Sequence, residues 1–314
     1  MADASSKNAR TCLIVAAVLL VLMMVPVVLF WLFVRSLEVD EVKIAGGSIL
    51  EIDFADVFGD GPTSVDLGPF LTTGLISLWE LDRAIDAAAE DEDIAGIQLQ
   101  IRGSAIGWAG AEEILARLDQ FRAGGKPVHA LIDADMVDDH DYFLATGADR
   151  IWITPAAASV INGLAAEAQF MRGTLEKLHI EPQVIMYKEY KSAGEQFGNY
   201  EMSPYMRESL AAVLATTQAR FEARLEARRG LDPATVRDFL GRGMAPAGAL
   251  LESGLVDELG YVDEVRAALA AAAGADEYRG VSASRYLSRL RGSAPRRPQI
   301  ALIFGEGPVV TTAP

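Results

Sequence analysis

Ile94-Ala95-Gly96-Ile97-Gln98-Leu99-Gln100-Ile101 is the stretch from which the fold is read. This short apolar run reads as a strand, and it follows the acidic Glu90-Asp91-Glu92-Asp93. Upstream of that acid run, Trp79, Leu81, Ile85 and Ala88 mark one face of an amphipathic helix. Downstream, residues 111–121 read as a second helix and Pro127-Val128-His129-Ala130-Leu131-Ile132 as a second strand. Further out, Ser48-Ile49-Leu50-Glu51-Ile52-Asp53-Phe54 has strand-like alternation, and the region from Gly59 to Gly68, with Pro62 and Pro69, reads as a loop. Strand, helix, strand, helix, strand in that order predicts an α/β fold, a mostly parallel sheet with helices packed on it.

The pattern continues toward the C-terminus. Tyr142-Phe143-Leu144-Ala145 followed by Ala148-Asp149-Arg150-Ile151-Trp152 fits a helix entering a strand. A long helix is expected from Pro204 to about Arg229, with Leu210, Val213, Leu214, Phe221 and Leu225 on a packing face. Leu231-Asp232-Pro233-Ala234 restarts a helix with an acidic cap and a proline in its first turn, and the alanine-rich residues 267–273 are helical up to Gly274.

The ends of the chain have a different character. Residues 12–34 are continuously apolar apart from Pro26, and at about 1.5 Å per residue such a run spans a hydrocarbon core of about 30 Å. Trp31-Leu32-Phe33-Val34-Arg35 follows where a cleavable signal would place small residues, so the run reads as an uncleaved transmembrane anchor. Lys7, Arg10 and the terminal amine precede it, and Arg35 is soon countered by Glu38, Asp40 and Glu41. That bias puts residues 1–11 in the cytoplasm and the rest of the protein across the membrane. At the other end, Ser293-Ala294-Pro295-Arg296-Arg297-Pro298 reads as a linker, and Gln299 to Val310 as the opening strand of a new unit.

Composition excludes several function classes. The 314 residues are 51% hydrophobic and carry a formal net charge of -16, and no basic cluster is visible, which argues against a nucleic-acid partner. Cys12 is the only cysteine, so the remainder can occupy an oxidising compartment without internal disulfides.

Chemistry points to Met186-Tyr187-Lys188-Glu189-Tyr190-Lys191-Ser192-Ala193-Gly194-Glu195, which sets lysines among aromatic and small residues just after the apolar Val184-Ile185-Met186. A lysine desolvated by an apolar wall loses its charge near neutral pH and can serve as a general base. Tyr190-Lys191-Ser192-Ala193 and Met202-Ser203-Pro204 resemble the lysine segment of the signal peptide peptidase A family, also called protease IV. The resemblance continues through Asn162-Gly163, Leu175-Glu176-Lys177-Leu178 and Glu252-Ser253-Gly254-Leu255-Val256-Asp257, in the family's order and spacing.

That resemblance implies the Clp protease/crotonase-like fold, a spiral of strand-strand-helix units, here preceded by one transmembrane helix. It implies a serine-lysine dyad, with a serine attacking the scissile carbonyl and Lys191 taking its proton as general base. Lys188 shares the segment but falls outside the match. In shorter relatives the serine lies in a strand-to-helix turn whose backbone N–H groups also stabilise the oxyanion. The corresponding turn here is Ile101 to Trp108, and alignment from Glu113-Ile114 puts Gly103 at the nucleophile position. Ser104 is adjacent, but a one-residue shift redirects its side chain. Longer relatives are two tandem copies, the first supplying the lysine and the second the serine. The expectation is therefore a first repeat over 35–292, with 293–314 opening a second repeat that holds the nucleophile absent from this chain.

Further implied are signal peptides or other extended membrane-released peptides as substrate, a ring-like homo-oligomer, and a place in the bacterial inner membrane with the main domain in the periplasm. A non-catalytic membrane-anchored scaffold of the same fold is the alternative. An in-frame continuation past Pro314 with a serine-proline-glycine-glycine turn would favour the peptidase.

Three other constellations are weaker. Asp133, Asp135, Asp138, Asp139, His140 and Asp141 are dense in ligand atoms, but they lack the glycine and terminal glutamate of a calcium loop and read as a solvated acidic loop capping the next helix. His129, in a strand, and His179, at a helix end, read as structural rather than as members of a Ser-His-Asp triad with His140. Gly103, Gly107 and Gly110 lack the lysine and threonine of a phosphate loop. No cofactor, metal or nucleotide is expected.

Overall fold

The structure is a computed structural model that describes residues 44–61 and 75–291, together with residues 23–26, 28 and 31, which are helical. The chain divides into two compact units, 1–43 with 64–73, and 44–63 with 74–314; the second carries the fold described below. Among the described residues no helix is long and apolar enough to cross a membrane. The predicted anchor over 12–34 lies mostly outside the described residues, and the predicted linker and strand over 293–314 lie wholly outside them.

The strand that decides the fold is β2, Ile94–Ile101, with the bounds expected of it. It pairs in parallel with β1, Ser48–Asp53, on one side and with β3, Val128–Ile132, on the other. β5 (Arg150–Ile153), β8 (Glu258–Leu259) and β9 (Gly280–Ser282) complete a six-stranded parallel sheet in the order β8-β5-β3-β2-β1-β9. Phe54 falls just past β1, in a 3-10 turn over Phe54–Asp56 that Asp53 caps by accepting the Ala55 N–H. Between them the helices are α1 (Leu78–Glu90), α2 (Trp108–Ala123) and α3 (Asp139–Ala145).

Parallel register puts partners on the same face, and the two faces differ sharply. Leu50, Ile52, Ile97, Leu99, Ile101, Ala130, Ile132, Ile151 and Ile153 share one face with Leu81, Ile85, Ile114, Leu118 and Tyr142 of the helices, forming the main core. The opposite face carries Glu51, Gln98 and His129 in one row, with a small apolar cluster of Leu131, Trp152 and Val265 to one side and the buried Ile49 and Leu269 near Gly96. α1 starts with a reciprocal cap in which Ser77 and Glu80 bond each other's backbone N–H groups, which is why the helix begins where its apolar face begins.

A second, three-stranded sheet is built from β4 (Met136–Asp138), β6 (Ala158–Val160) and β7 (Ala245–Pro246). β3 leads to β4 and then α3, and β5 leads to β6, so successive strands of the large sheet each hand on to one of the small sheet. Past Ile161 the chain leaves the core. It forms α4 (Arg172–Lys177), a 3-10 turn over Ser192–Gly194, α5 (Glu195–Gly198) and α6 (Pro204–Arg229) before packing resumes. Only Phe221 and Leu225 of α6 are buried, while Val213 is 61% exposed and Leu210 and Leu214 are half-buried. The expected packing face is therefore real only in the C-terminal part of the helix. α7 (Pro233–Leu240), α8 (Ala247–Glu252), α9 (Val262–Ala272) and α10 (Ala283–Arg291) follow.

Candidate active site

The lysine segment lies on the excursion between Ile161 and Phe221. Lys191 is exposed, with backbone angles φ -87° and ψ 66°, immediately before the 3-10 turn Ser192–Gly194. Lys188 is exposed as well and sits at φ 66°, with its ammonium 5.8 Å from the centre of the Tyr187 ring. The apolar run expected to desolvate a lysine does something else. Ile185 is 98% exposed, and Val184 lies against the backbone of Gly194, where any Cβ would come within 2.3 Å of Val184 Cγ1. Gly194 is thus required by close approach, and among the described residues no apolar wall buries Lys191, which is exposed.

The segment is tied to α6 at two places. Tyr190 donates its hydroxyl hydrogen to Glu208 Oε2 at 3.0 Å and packs edge-on against Tyr205, with ring centres 5.4 Å apart. The carboxylate of Glu195 accepts the Ser203 N–H at 3.0 Å and the Ser203 hydroxyl at 2.7 Å. Ser203 Oγ in turn accepts the Met206 N–H at 3.1 Å and caps α6.

The turn after β2 is built for backbone exposure. Gly103 has φ +99°, a left-handed geometry that disfavours a side chain, and a Cβ there would meet nothing within 4 Å. Ser104 Oγ accepts the Ile106 N–H at 3.1 Å, so the hydroxyl closes a local turn ahead of α2. No hydrogen bond among the described residues joins Ser104 to Lys191. Beside the turn, Arg102 pairs with Asp53, and a cleft of about 370 Å³ opens among Asp53, Asp56, Gln98, Gln100, Arg102 and Asp133.

The acidic loop differs from the solvated one expected. Asp138 does cap α3, accepting the Asp141 N–H at 2.8 Å, but Asp139 and Asp141 are buried. Burial raises both carboxyls, Asp141 to about 6 with the Asp138 charge adding to the shift. Asp139 accepts the N–H groups of Asn162 at 3.2 Å and Gly163 at 2.9 Å, which opposes its shift and fixes the point where the excursion leaves the core. Among the described residues no group of three His, Cys, Asp or Glu side chains converges as metal ligands would.

The histidines are dispersed. His129 is buried in β3 and His140 in α3 stacks edge-on against Trp108 at 5.2 Å; burial pushes both below the usual imidazole range. His179, at φ 57°, is exposed just beyond α4. Among the described residues no hydrogen bond joins any of them to Ser104, whose hydroxyl accepts the Ile106 N–H. Glu195, Ser203 and Asp139 are the residues whose positions matter most here and whose roles the sequence did not disclose. Glu195 and Ser203 stand within the motif that brought Lys191 to notice, and proximity to it was the only available signal.

Comparison with known proteins bears on this geometry. Residues 120–276 match the family model described as Peptidase family S49. The chain is 30% identical to the protein named Serine protease SPPA, chloroplastic, of Arabidopsis thaliana, over 71% of this chain and 32% of that protein. It is 28% identical to Protease 4 of Salmonella typhi, over 74% of this chain and 39% of the relative. The chain thus spans roughly a third of the length of the curated relatives it matches. Among solved structures, a membrane-bound stomatin-specific protease is similar at 13% identity and a TM-score of 0.37, covering 70% of this chain and 84% of that one; at that score the likeness carries no weight.

Proposed function

This chain belongs to peptidase family S49, a serine peptidase family, and we propose that it supplies the lysine half of a serine-lysine active site. Lys191 is the general base, and the attacking serine comes from a second repeat or partner domain outside the chain. The observation that carries this reading is the exposure of Lys191 on an excursion that has almost no core of its own. An amine that must lose its charge needs a dry wall, and the neighbouring apolar side chains are turned to solvent, available to a covering domain. Gly103 at the strand-to-helix turn agrees, since its left-handed backbone is unsuited to an in-chain nucleophile.

In this reading the successive strands of the two sheets, with the helices that follow them, are units of a Clp protease/crotonase-like spiral, and residues 12–34 anchor the protein in a bacterial inner membrane with its main domain in the periplasm. The substrate is an extended peptide released near the membrane, such as a signal peptide, cleaved beside small or apolar side chains. Self-association into a ring would wall off the chamber in which cleavage occurs. The same exposure of Lys191 and the same Gly103 also suit a non-catalytic scaffold of this fold, which is the second reading.

The deciding experiment measures peptide cleavage by the complete protein with Lys191→Ala, and labelling of the isolated chain by a fluorophosphonate. Abolished cleavage with folding retained, and an unlabelled chain, are expected. Robust labelling at Ser104 would overturn the split site, undiminished turnover without Lys191 would remove it as the base, and a complete parent protein that cleaves no peptide would leave the scaffold.

A further inference from the structure

We infer that Glu195 is the positioning residue for Lys191, holding the base in place through Ser203 and the N-terminus of α6. This deepens the assignment of Lys191 proposed above and rests on it.

From 162 to 220 every residue is exposed or half-buried except Glu195, which is 2% exposed. A segment of that length whose sole buried side chain is a carboxylate is not held by apolar packing. A buried carboxylate is costly unless donors meet it, and both of its oxygens are met: Oε2 by the Ser203 N–H at 3.0 Å, Oε1 by the Ser203 hydroxyl at 2.7 Å. Ser203 passes the constraint on by accepting the Met206 N–H, so the anchor is the first turn of α6, where a negative charge is also favoured by the helix dipole. α6 is in turn fixed to the core through Phe221 and Leu225.

The other end of the linkage reaches the base. The Glu195 N–H bonds the Ser192 carbonyl, closing the 3-10 turn that Lys191 precedes, and Gly194 within that turn is pressed against Val184. Few soft dihedrals separate the clamp from Lys191, so the clamp sets where the base leaves the backbone. The Tyr190 to Glu208 bond lies on the exposed rim and is open to competition by water. Glu195 itself touches no reacting atom in this role.

The test is steady-state cleavage of an extended peptide by the complete protein carrying Glu195→Gln, Ser203→Ala or Ser203→Thr. Glutamine offers one acceptor and one donor where two acceptors are needed, and alanine removes both functions of the hydroxyl; threonine keeps them. Glu195→Gln and Ser203→Ala should lower kcat about 10- to 100-fold with KM changed less than about threefold, because a base displaced by about 1 Å loses rate rather than substrate binding. Ser203→Thr should stay within about threefold of the parent in kcat. Melting temperatures identify any variant that fails to fold, and if Glu195→Gln does, the Ser203 pair carries the comparison. Lys191→Ala is measured alongside. Turnover surviving Lys191→Ala removes the base assignment itself; turnover lost there but kept in Glu195→Gln and Ser203→Ala overturns the positioning role alone, as does an equal loss in Ser203→Thr.

Discussion

Arg229 at the end of α6 and Asp257 just before β8 form a two-bonded ion pair, Nη1 to Oδ2 at 3.0 Å and Nη2 to Oδ1 at 2.9 Å. Asp257 Oδ2 also accepts the Ile151 N–H at 2.7 Å, and Arg229 Nε donates to the Gly254 carbonyl at 3.0 Å. One pair therefore ties the base of the excursion to the edge of the large sheet. The Arg229 side chain is only 9% exposed, so its charge is compensated chiefly by this partner.

Asp257→Ala should consequently destabilise the protein by about 2–4 kcal/mol, because it strands a buried guanidinium and a strand N–H together. Denaturant unfolding checks this. A loss below about 0.5 kcal/mol would mean that water reaches Arg229 freely.

Asp141 gives a pH dependence of defined sign. Its carboxyl stands near 6 in the folded protein, above the ordinary value of 3.8, because burial and the Asp138 charge disfavour ionisation. Between those two values the folded state binds more protons than the unfolded one, so this group's contribution falls as pH rises from 3.8 to about 6 and remains unfavourable above it. Asp141→Asn should thus raise stability at pH 7.5 by up to about 2–3 kcal/mol, with the gain shrinking to nothing near pH 4. Unfolding curves of both proteins across that range test the sign; a gain that grows on acidification would contradict it.

Tyr142 is fully buried and donates its hydroxyl hydrogen to the Leu255 carbonyl at 2.6 Å, joining α3 to the loop after α8. Tyr142→Phe leaves that carbonyl without its donor and should cost about 1–3 kcal/mol with the fold unchanged. Thermal unfolding with a control circular dichroism spectrum measures it.

Gly103→Ser places a hydroxyl at the family's nucleophile position. Space is open there, so the cost comes from the backbone: about 1–2 kcal/mol for a side chain held at φ +99°. The variant should melt lower and should not gain fluorophosphonate labelling, because in the proposed split site Lys191 serves a serine outside this chain. Labelling gained together with a raised melting temperature would show that the turn rearranges to accept the serine.

Sequence periodicity was enough for the parallel sheet. β2 has the bounds read from its residues, and the acidic cap at Asp232 starts its helix as local hydrogen bonding dictates. It was enough for α6 as a helix but not for its environment: Val213 and Phe221 fit the same spacing, yet one faces solvent and the other the core. Periodicity reports which side chains share a face, not what covers that face.

The residues themselves determined the α/β architecture, the family, and the segment bearing Lys191, because each is written in short-range patterns of hydrophobicity, turn chemistry and motif spacing. It took the assembled fold to show that Asp139 and Asp141 are buried, that Lys191 is uncovered among the described residues, and that Glu195 is the one buried side chain beside it. Burial and the meeting of donors with acceptors depend on which distant segments come together, and the solvation of a charge is a property of that assembled surrounding rather than of the neighbouring letters.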